Sequence, residues 1–433
     1  MLERKIRLLN KKFYQMKYVL LQFILLSYIA CNAQHKCMSQ HIYNEKLNSN
    51  PLLREIHRES EATMSVLEAN SNNTSHKTNA VITIPVVVHV VYNTPTQNIS
   101  ETQIREQIRV LNEDYRKRNA DTLASTHAFY SFIGDAEYEF CLATTDPSGN
   151  PTNGITRTFT STTGFDADVN FGSDVKFNIT GGRDNWNPNQ YLNVWVCNLI
   201  NGTLGYATFP DELAMFPEED GVVIGYTYFS RVGTSVAPYN KGRTLTHETG
   251  HWLGLLHPCE MSCDDDFVSD TKPCQELNYG CPTFPHNPNN ACGGDANGEM
   301  FMNFMEYVDD ACMNMFTKGQ VTRMHNQQST NRTALATANK CVSTASINDE
   351  EKIKYSIYPN PTQDVLEIYL GNEQNFKKPT LRISDAIGNS IFETNFDNTN
   401  SLTIDVSKYS NGSYYVTIED NQLKTSKLFT ILH

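Results

Sequence analysis

One unbroken run, His247-Glu248-Thr249-Gly250-His251-Trp252-Leu253-Gly254-Leu255-Leu256-His257, constrains this chain more than any other stretch. Residues four apart on an α-helix lie on one face, so His247 and His251 can present two imidazoles to one metal ion. Glu248 sits beside them, close enough to reach a metal-bound water without being a ligand, which suits a general base. Gly254 accepts the left-handed conformation that ends helices, and the chain can then turn back to deliver His257 as a third imidazole. Three neutral histidines leave the fourth tetrahedral position of a zinc ion open, the catalytic arrangement, in which bound water has a pKa of about 7. The competing reading is a helix whose histidines cap a polar face or fill a core. Five fixed positions, flanked by apolar Leu245, Trp252, Leu253, Leu255 and Leu256, argue against it.

Downstream, Met302-Asn303-Phe304-Met305-Glu306-Tyr307 matches the methionine turn expected after an extended zinc helix of this kind. With both segments in place the chain resembles the metzincins, and within them the pappalysin-type (ulilysin-like) peptidases. Ile84–Tyr92, Asn185-Trp186-Asn187-Pro188, Tyr191–Leu199 and Asp309–Asn314 are similar to that group's pattern, so the resemblance spans about residues 80–340. It implies an α+β catalytic domain: a twisted sheet with two long helices on one side and a zinc cleft below an edge strand, here Gly205–Phe209, that pairs with an extended substrate. It also implies that Met305 floors the three imidazoles and that Tyr307 offers its hydroxyl to the oxyanion formed when water attacks a peptide carbonyl. A lone methionine is usually core filler, and its order after the zinc helix is what favours the functional reading. Asp310 would line the pocket for the residue just after the cut bond and favour Arg or Lys there (P1′) through charge-assisted hydrogen bonds. The alternative is that Asp309 and Asp310 form a solvated acidic turn.

The N-terminus reads as an export signal over residues 1–33, with Lys17 ahead of the apolar stretch Tyr18–Ala30 and a cleavage site after Cys31-Asn32-Ala33. Met16 is an alternative start, and the apolar core is too short and interrupted for a membrane span. Behind such a signal, eleven cysteines read as disulfides rather than a metal cluster. Six of them stand between Cys259 and Cys312 and allow fifteen pairings. The family resemblance suggests Cys281 to Cys312 first and Cys263 to Cys292 next. Asp264, Asp265, Asp266, Asp270 and Thr271 offer hard oxygen ligands, and related enzymes carry calcium in this loop; solvated acids are the alternative. Cys37 falls in the polar segment 34–79, which is similar to the pro-segments of relatives, where a thiolate fills zinc's open position as a latch. Those relatives carry glycine after the cysteine and this chain has Met38, so an ordinary disulfide partner is the competing role.

Lys and Arg total 35 against 48 acids, a net charge of −13 without a basic cluster, so nucleic acid is not an expected partner. Beyond Val81–Tyr92, strands are expected at 137–143, 191–199 and 222–228, and helices at 101–118 behind a Ser100 cap, from about 245, and at 318–336. The catalytic domain should therefore occupy 80–341, followed by a polar linker 342–354 and a small all-β sandwich at 355–433 with strands at 365–370, 380–384, 401–406 and 412–419. Tyr358-Pro359-Asn360-Pro361, Asp385–Gly388 and Gly412-Ser413-Tyr414-Tyr415-Val416 resemble the type A sorting domain of type IX secretion, against an ordinary binding sandwich. The chain therefore reads as an exported zinc endopeptidase acting on proteins or peptides, with a surface adhesion protein holding a non-catalytic zinc as the rival.

Overall fold

Val86, Val87, Val88, Val90 and Val91 give Ile82–Tyr92 the β-branched, two-sided apolar character of a fully covered strand. In the computed structural model this segment is β2, the centre of the main sheet. The structure describes residues 36–71, 81–341 and 355–433, apart from 260–262, 264–265, 273, 275–276, 288–291, 293–295, 371–378, 386–387, 397–398 and 421–422. The export signal, the linker, Asp264 and Asp265 lie outside the described residues.

Strand β1 is Lys36–Cys37, β3 is Tyr138–Leu142, β4 is Ile155–Phe159, β5 is Leu192–Cys197, β6 is Thr203–Ala207 and β7 is Val222–Gly225. Their order is β1-β6-β7-β5-β2-β3, with β4 also on β2. All pairs are parallel except β6 with β7. On one face lies α3 (Glu101–Tyr115), capped by Ser100, whose side chain accepts from Gln103 N. Its Ile104, Ile108, Leu111 and Tyr115 join a core that also holds Leu245, Trp252, Phe304 and Met324. The zinc-motif helix α4 (Arg243–Trp252) is buried at every residue, and α5 (Lys318–Asn331) starts from a capping box of Thr317 and Gln320. The α+β architecture is as expected. Several boundaries differ: α3 stops at Tyr115 and β5 at Cys197, short of the expected 118 and 199, β6 lies two residues before the expected edge, β7 ends at Gly225 where Tyr228 N turns back to Gly225 O (2.9 Å), and α5 gives way to a 3₁₀ turn at Thr333–Thr337.

The segment before β2, without assigned elements from sequence, forms α1 (Ser39–Ser49) and α2 (Pro51–Ser71) after β1. Both dock on the catalytic body: Arg323 Nη2 of α5 donates to Glu61 Oε1 (2.7 Å), and Met38 N donates to Gly205 O (3.0 Å).

The chain divides into two compact units at Val342. The second consists of β8 (Tyr355–Tyr358), β9 (Val365–Leu370), β10 (Thr380–Ser384), β11 (Ser390–Asn395), β12 (Ser401–Asp405), β13 (Gly412–Asp420) and β14 (Leu423–Ile431). A four-stranded sheet, β11-β10-β13-β14, and a three-stranded sheet, β12-β9-β8, enclose one core that includes Leu366, Ile368, Leu381, Ile383, Val416 and Phe429. In β9 alternate residues are buried, the period of two that places one face of a sandwich strand inward. No helix among the described residues is long and apolar enough to cross a membrane.

Candidate active site

Helix α4 starts after Gly242, whose φ of 80° is left-handed. Its first turn is fixed by Arg243, which donates to Asp121 Oδ1 and Oδ2 (2.7 Å each) and to the carbonyls of Asp310 and Met313. The helix ends at Leu253 and Gly254, the latter at φ 92°, and Leu255 N returns to Gly250 O (2.9 Å). That reversal carries His257 back to the helix face. The Nε2 atoms of His247, His251 and His257 converge, 3.0–3.1 Å from one another.

His247 Nδ1 lies 2.7 Å from the Phe304 carbonyl and His251 Nδ1 2.7 Å from the Leu255 carbonyl. A carbonyl only accepts, so each Nδ1 carries the proton and each Nε2 keeps a lone pair. Burial, with the neighbouring imidazoles, pushes His247 down to about 3 and His251 well below its ordinary range. Close-set nitrogen lone pairs repel unless a cation binds them together. This donor set fits zinc, which His247, His251 and His257 would hold.

Glu248, fully buried, is pushed up to about 7 by desolvation, against the opposing hydrogen bonds from Ser39 and Cys37. Ser39 Oγ donates to its Oε2 at 2.6 Å and Cys37 Sγ lies 3.3 Å from the same oxygen, while Oε1 is buried without a partner. Cys37 forms no disulfide. Its sulfur is 3.4 Å from His251 Nε2, and sulfur and the three imidazole nitrogens lie within 4.8 Å of one another. The Tyr307 ring packs 4.7 Å from that of His257, and its hydroxyl donates to the Cys37 carbonyl at 3.4 Å. Met305 is wholly buried beneath α4, so close that a Cβ on Gly250 would stand 2.4 Å from its sulfur.

A narrow pocket opens beside the histidines, lined by Leu204, Tyr239, Thr244, His247, Tyr307 and Asp310 among others. Asp310 is not a solvated turn: it is 1% exposed, Oδ2 accepts from Lys241 N (2.7 Å) and Arg243 N (3.2 Å), and Oδ1 has no partner. Burial pushes its carboxyl up to about 6, opposed by those two N–H groups and the Arg243 charge.

Sulfur pairs Cys281 with Cys312 and Cys263 with Cys292, and two further bridges, Cys259 to Cys274 and Cys141 to Cys341, carried no sequence assignment. Of the expected calcium ligands, Asp270 caps α5, accepting from Thr317 Oγ1 (2.6 Å) and Gly319 N (2.9 Å). Asp266 Oδ1 accepts from Thr271 Oγ1 (2.8 Å) and Val268 N (3.0 Å), a turn closed by protein donors. Ser39 escaped sequence reasoning, because a serine two residues after a cysteine carries no signal until the fold lays it on Glu248.

The family model described as pregnancy-associated plasma protein-A, the pappalysin group, matches residues 178–329, and a secretion system C-terminal sorting domain matches residues 356–431. Extracellular metalloprotease 1 of Coccidioides posadasii (strain C735) is 30% identical over 260 residues, 57% of this chain and 76% of that protein. Among solved structures, a Tannerella forsythia promirolysin mutant is 44% identical, covering 70% of this chain and 98% of its own, with a TM-score of 0.64. Mature mirolysin of Tannerella forsythia in complex with a cleaved peptide is 49% identical, covering 60% and 96%, with a TM-score of 0.56. The chain belongs to the pappalysin family: it is a secreted zinc metalloendopeptidase followed by a C-terminal sorting domain of type IX secretion.

Proposed function

We propose that Glu248 is the general base of peptide hydrolysis in this enzyme, with Tyr307 as its oxyanion donor and Asp310 as the selector for Arg or Lys after the cut. The observation that carries this reading is the convergence of three Nε2 atoms, a buried carboxylate beside Gly205 of β6 and a phenol. Zinc, when held by His247, His251 and His257, supplies Lewis acidity to the substrate carbonyl and lowers the pKa of water. Glu248 takes a proton from the attacking water and returns it to the leaving amine. The Tyr307 hydroxyl, which here donates to a backbone carbonyl in the cleft, would do the same for the developing oxyanion. Met305 packs under the ligands, and the partnerless Oδ1 of Asp310 gives a guanidinium or ammonium a charge-assisted acceptor.

The N-terminal segment is read as a latch. Cys37 brings its sulfur to the imidazoles, Ser39 binds Glu248, and β1 fills the edge of β6 that a substrate would use. Residues 34–79 would then be a pro-segment after a signal at 1–33, with the catalytic domain at 80–341, the linker at 342–354 and the sorting domain at 355–433. In support, the mature relative matches a smaller share of this chain than the pro-form does. Asp266, Asp270 and Thr271 stay as candidate calcium ligands; Asp266 accepts from Thr271 and Asp270 from Thr317, and calcium takes no step in the chemistry.

Glu248→Ala should retain one zinc per chain by elemental analysis while turnover of casein falls by about two to four orders of magnitude. Undiminished cleavage by the purified, zinc-loaded variant would remove Glu248 from the role of base.

A further inference from the structure

Helix α1 carries a lysine that the latch at Cys37 does not require. Lys46 is 5% exposed, and its ammonium lies 2.9 Å from Glu212 Oε1, 2.7 Å from Glu219 Oε2 and 5.0 Å from the centre of the Phe216 ring. A buried ammonium is tolerated only when paired and hydrogen-bonded, and an aromatic face adds to its stabilisation. Two carboxylates and a ring therefore form a cage shaped for a lysine side chain.

All three walls belong to the catalytic body, and the Glu212 carboxylate and the Glu219 backbone are held without help from Lys46. Glu212 Oε2 accepts from Phe209 N (2.6 Å), part of the capping box of the 3₁₀ turn Pro210–Ala214, and the Glu219 carbonyl accepts from Lys176 Nζ (2.7 Å). Next to them Asp211 is 6% exposed; Oδ2 meets Tyr43 and His57 of the N-terminal segment, and Oδ1 has no partner. Departure of residues 36–71 would remove the ammonium that pairs with both carboxylates and leave them facing the vacated space, with Lys176 staying on the Glu219 carbonyl.

The cage is built from the turns that follow the end of β6. Leu204, near the start of β6, lines the Asp310 pocket, whereas Phe209 follows the end of β6 and its ring is 5.4 Å from that of His251. A peptide that pairs with β6 and puts the residue after the cut into the Asp310 pocket must run antiparallel to the strand. Its residues before the cut then pass Ala207 and reach Glu212 and Glu219.

We propose that in the mature enzyme Glu212, Glu219 and Phe216 form a second subsite, which takes the ammonium of a lysine a few residues before the scissile bond. The peptidase then reads basic side chains on both sides of the cut, and Lys46 of the intact chain holds the seat of that substrate lysine. This rests on the peptidase reading and on removal of the N-terminal segment.

The test uses processed, zinc-loaded enzyme and peptides with Arg fixed after the cut. Lysine is compared with its uncharged isostere norleucine at each position before the cut in turn. At one position lysine should raise kcat/KM by about tenfold, the size of one charge-assisted hydrogen bond. Glu219→Gln should bring the two peptides of that pair within about twofold of each other. Equal rates at every position, or full lysine preference in both the Glu219→Gln and Glu212→Gln enzymes, overturn the subsite while leaving the peptidase intact. Failure to cleave any peptide overturns the peptidase reading and the subsite with it.

Discussion

At the residue scale, the proposed selectivity rests on Asp310, a buried carboxyl lining the pocket beside the imidazoles. Its Oδ2 is held by two backbone N–H groups at the start of α4 and its Oδ1 is left over, so an asparagine can keep the first contact while losing the charge. Asp310→Asn should cut kcat/KM for an Arg-P1′ peptide by about ten- to a hundredfold and change a Leu-P1′ peptide little, measured side by side. Because desolvation lifts this carboxyl to about 6, the ionised form gains population as pH rises through that value. Only the ionised form attracts a cation, so the Arg-over-Leu ratio should climb between about pH 5 and about pH 8. A ratio that stays flat would detach the preference from Asp310. The proposed latch has its own signature. Cys37→Ala removes the sulfur, yet Ser39 still holds Glu248 at 2.6 Å and accepts from Ala207 N at 2.8 Å. The unprocessed variant should therefore cleave a small peptide measurably but well below the mature enzyme; full activity without processing would show that Ser39 contributes nothing.

At the element scale, α4 is fastened at both ends by buried ion pairs. Arg243 meets Asp121 and Asp114 at the start. At the finish, Arg332 and Asp220, both fully buried, pair at 2.7 Å while Arg332 Nε donates to the Trp252 carbonyl (3.0 Å). Arg332→Ala leaves Asp220 charged without its partner and should cost about 3–5 kcal/mol in urea unfolding. A loss below about 1 kcal/mol would mean that water reaches Asp220. These anchors explain what the sequence could disclose. The histidine spacing and Gly254 located α4 and its reversal, but its first residues were hidden because Gly242 offers no side-chain cap and Arg243 reads as a surface residue. Strand β2 was legible from its valines. Strand β4, which pairs only at the far end of β2, shows no fully buried residue and gave no alternation to read. Helices α1 and α2 are polar, and what defines them is docking on the catalytic body through Lys46, Tyr43 and Glu61, which no local pattern reports.

At the scale of the whole molecule, the division at Val342 was visible as a change from mixed periodicity to alternating strands, whereas four of the seven tail strands were found and β8, β11 and β14 were not, although β14 sends Phe429 and Ile431 into the core. The bridges show the same limit: spacing counts cysteines, but partners are chosen by a fold that brings distant segments together. Each unit has its own core, so a chain ending at Val342 should keep kcat/KM within about twofold while failing to reach the medium, as enzyme assays of secreted and envelope fractions would show. Loss of turnover on truncation would instead make the tail part of the catalyst. The bond between Cys141 and Cys341 spans 200 residues and fastens the last turn of the catalytic unit to β3. Scission anywhere downstream of it creates a new chain terminus already riveted to the sheet, so the protease can shed its address label without its own edge beginning to unravel.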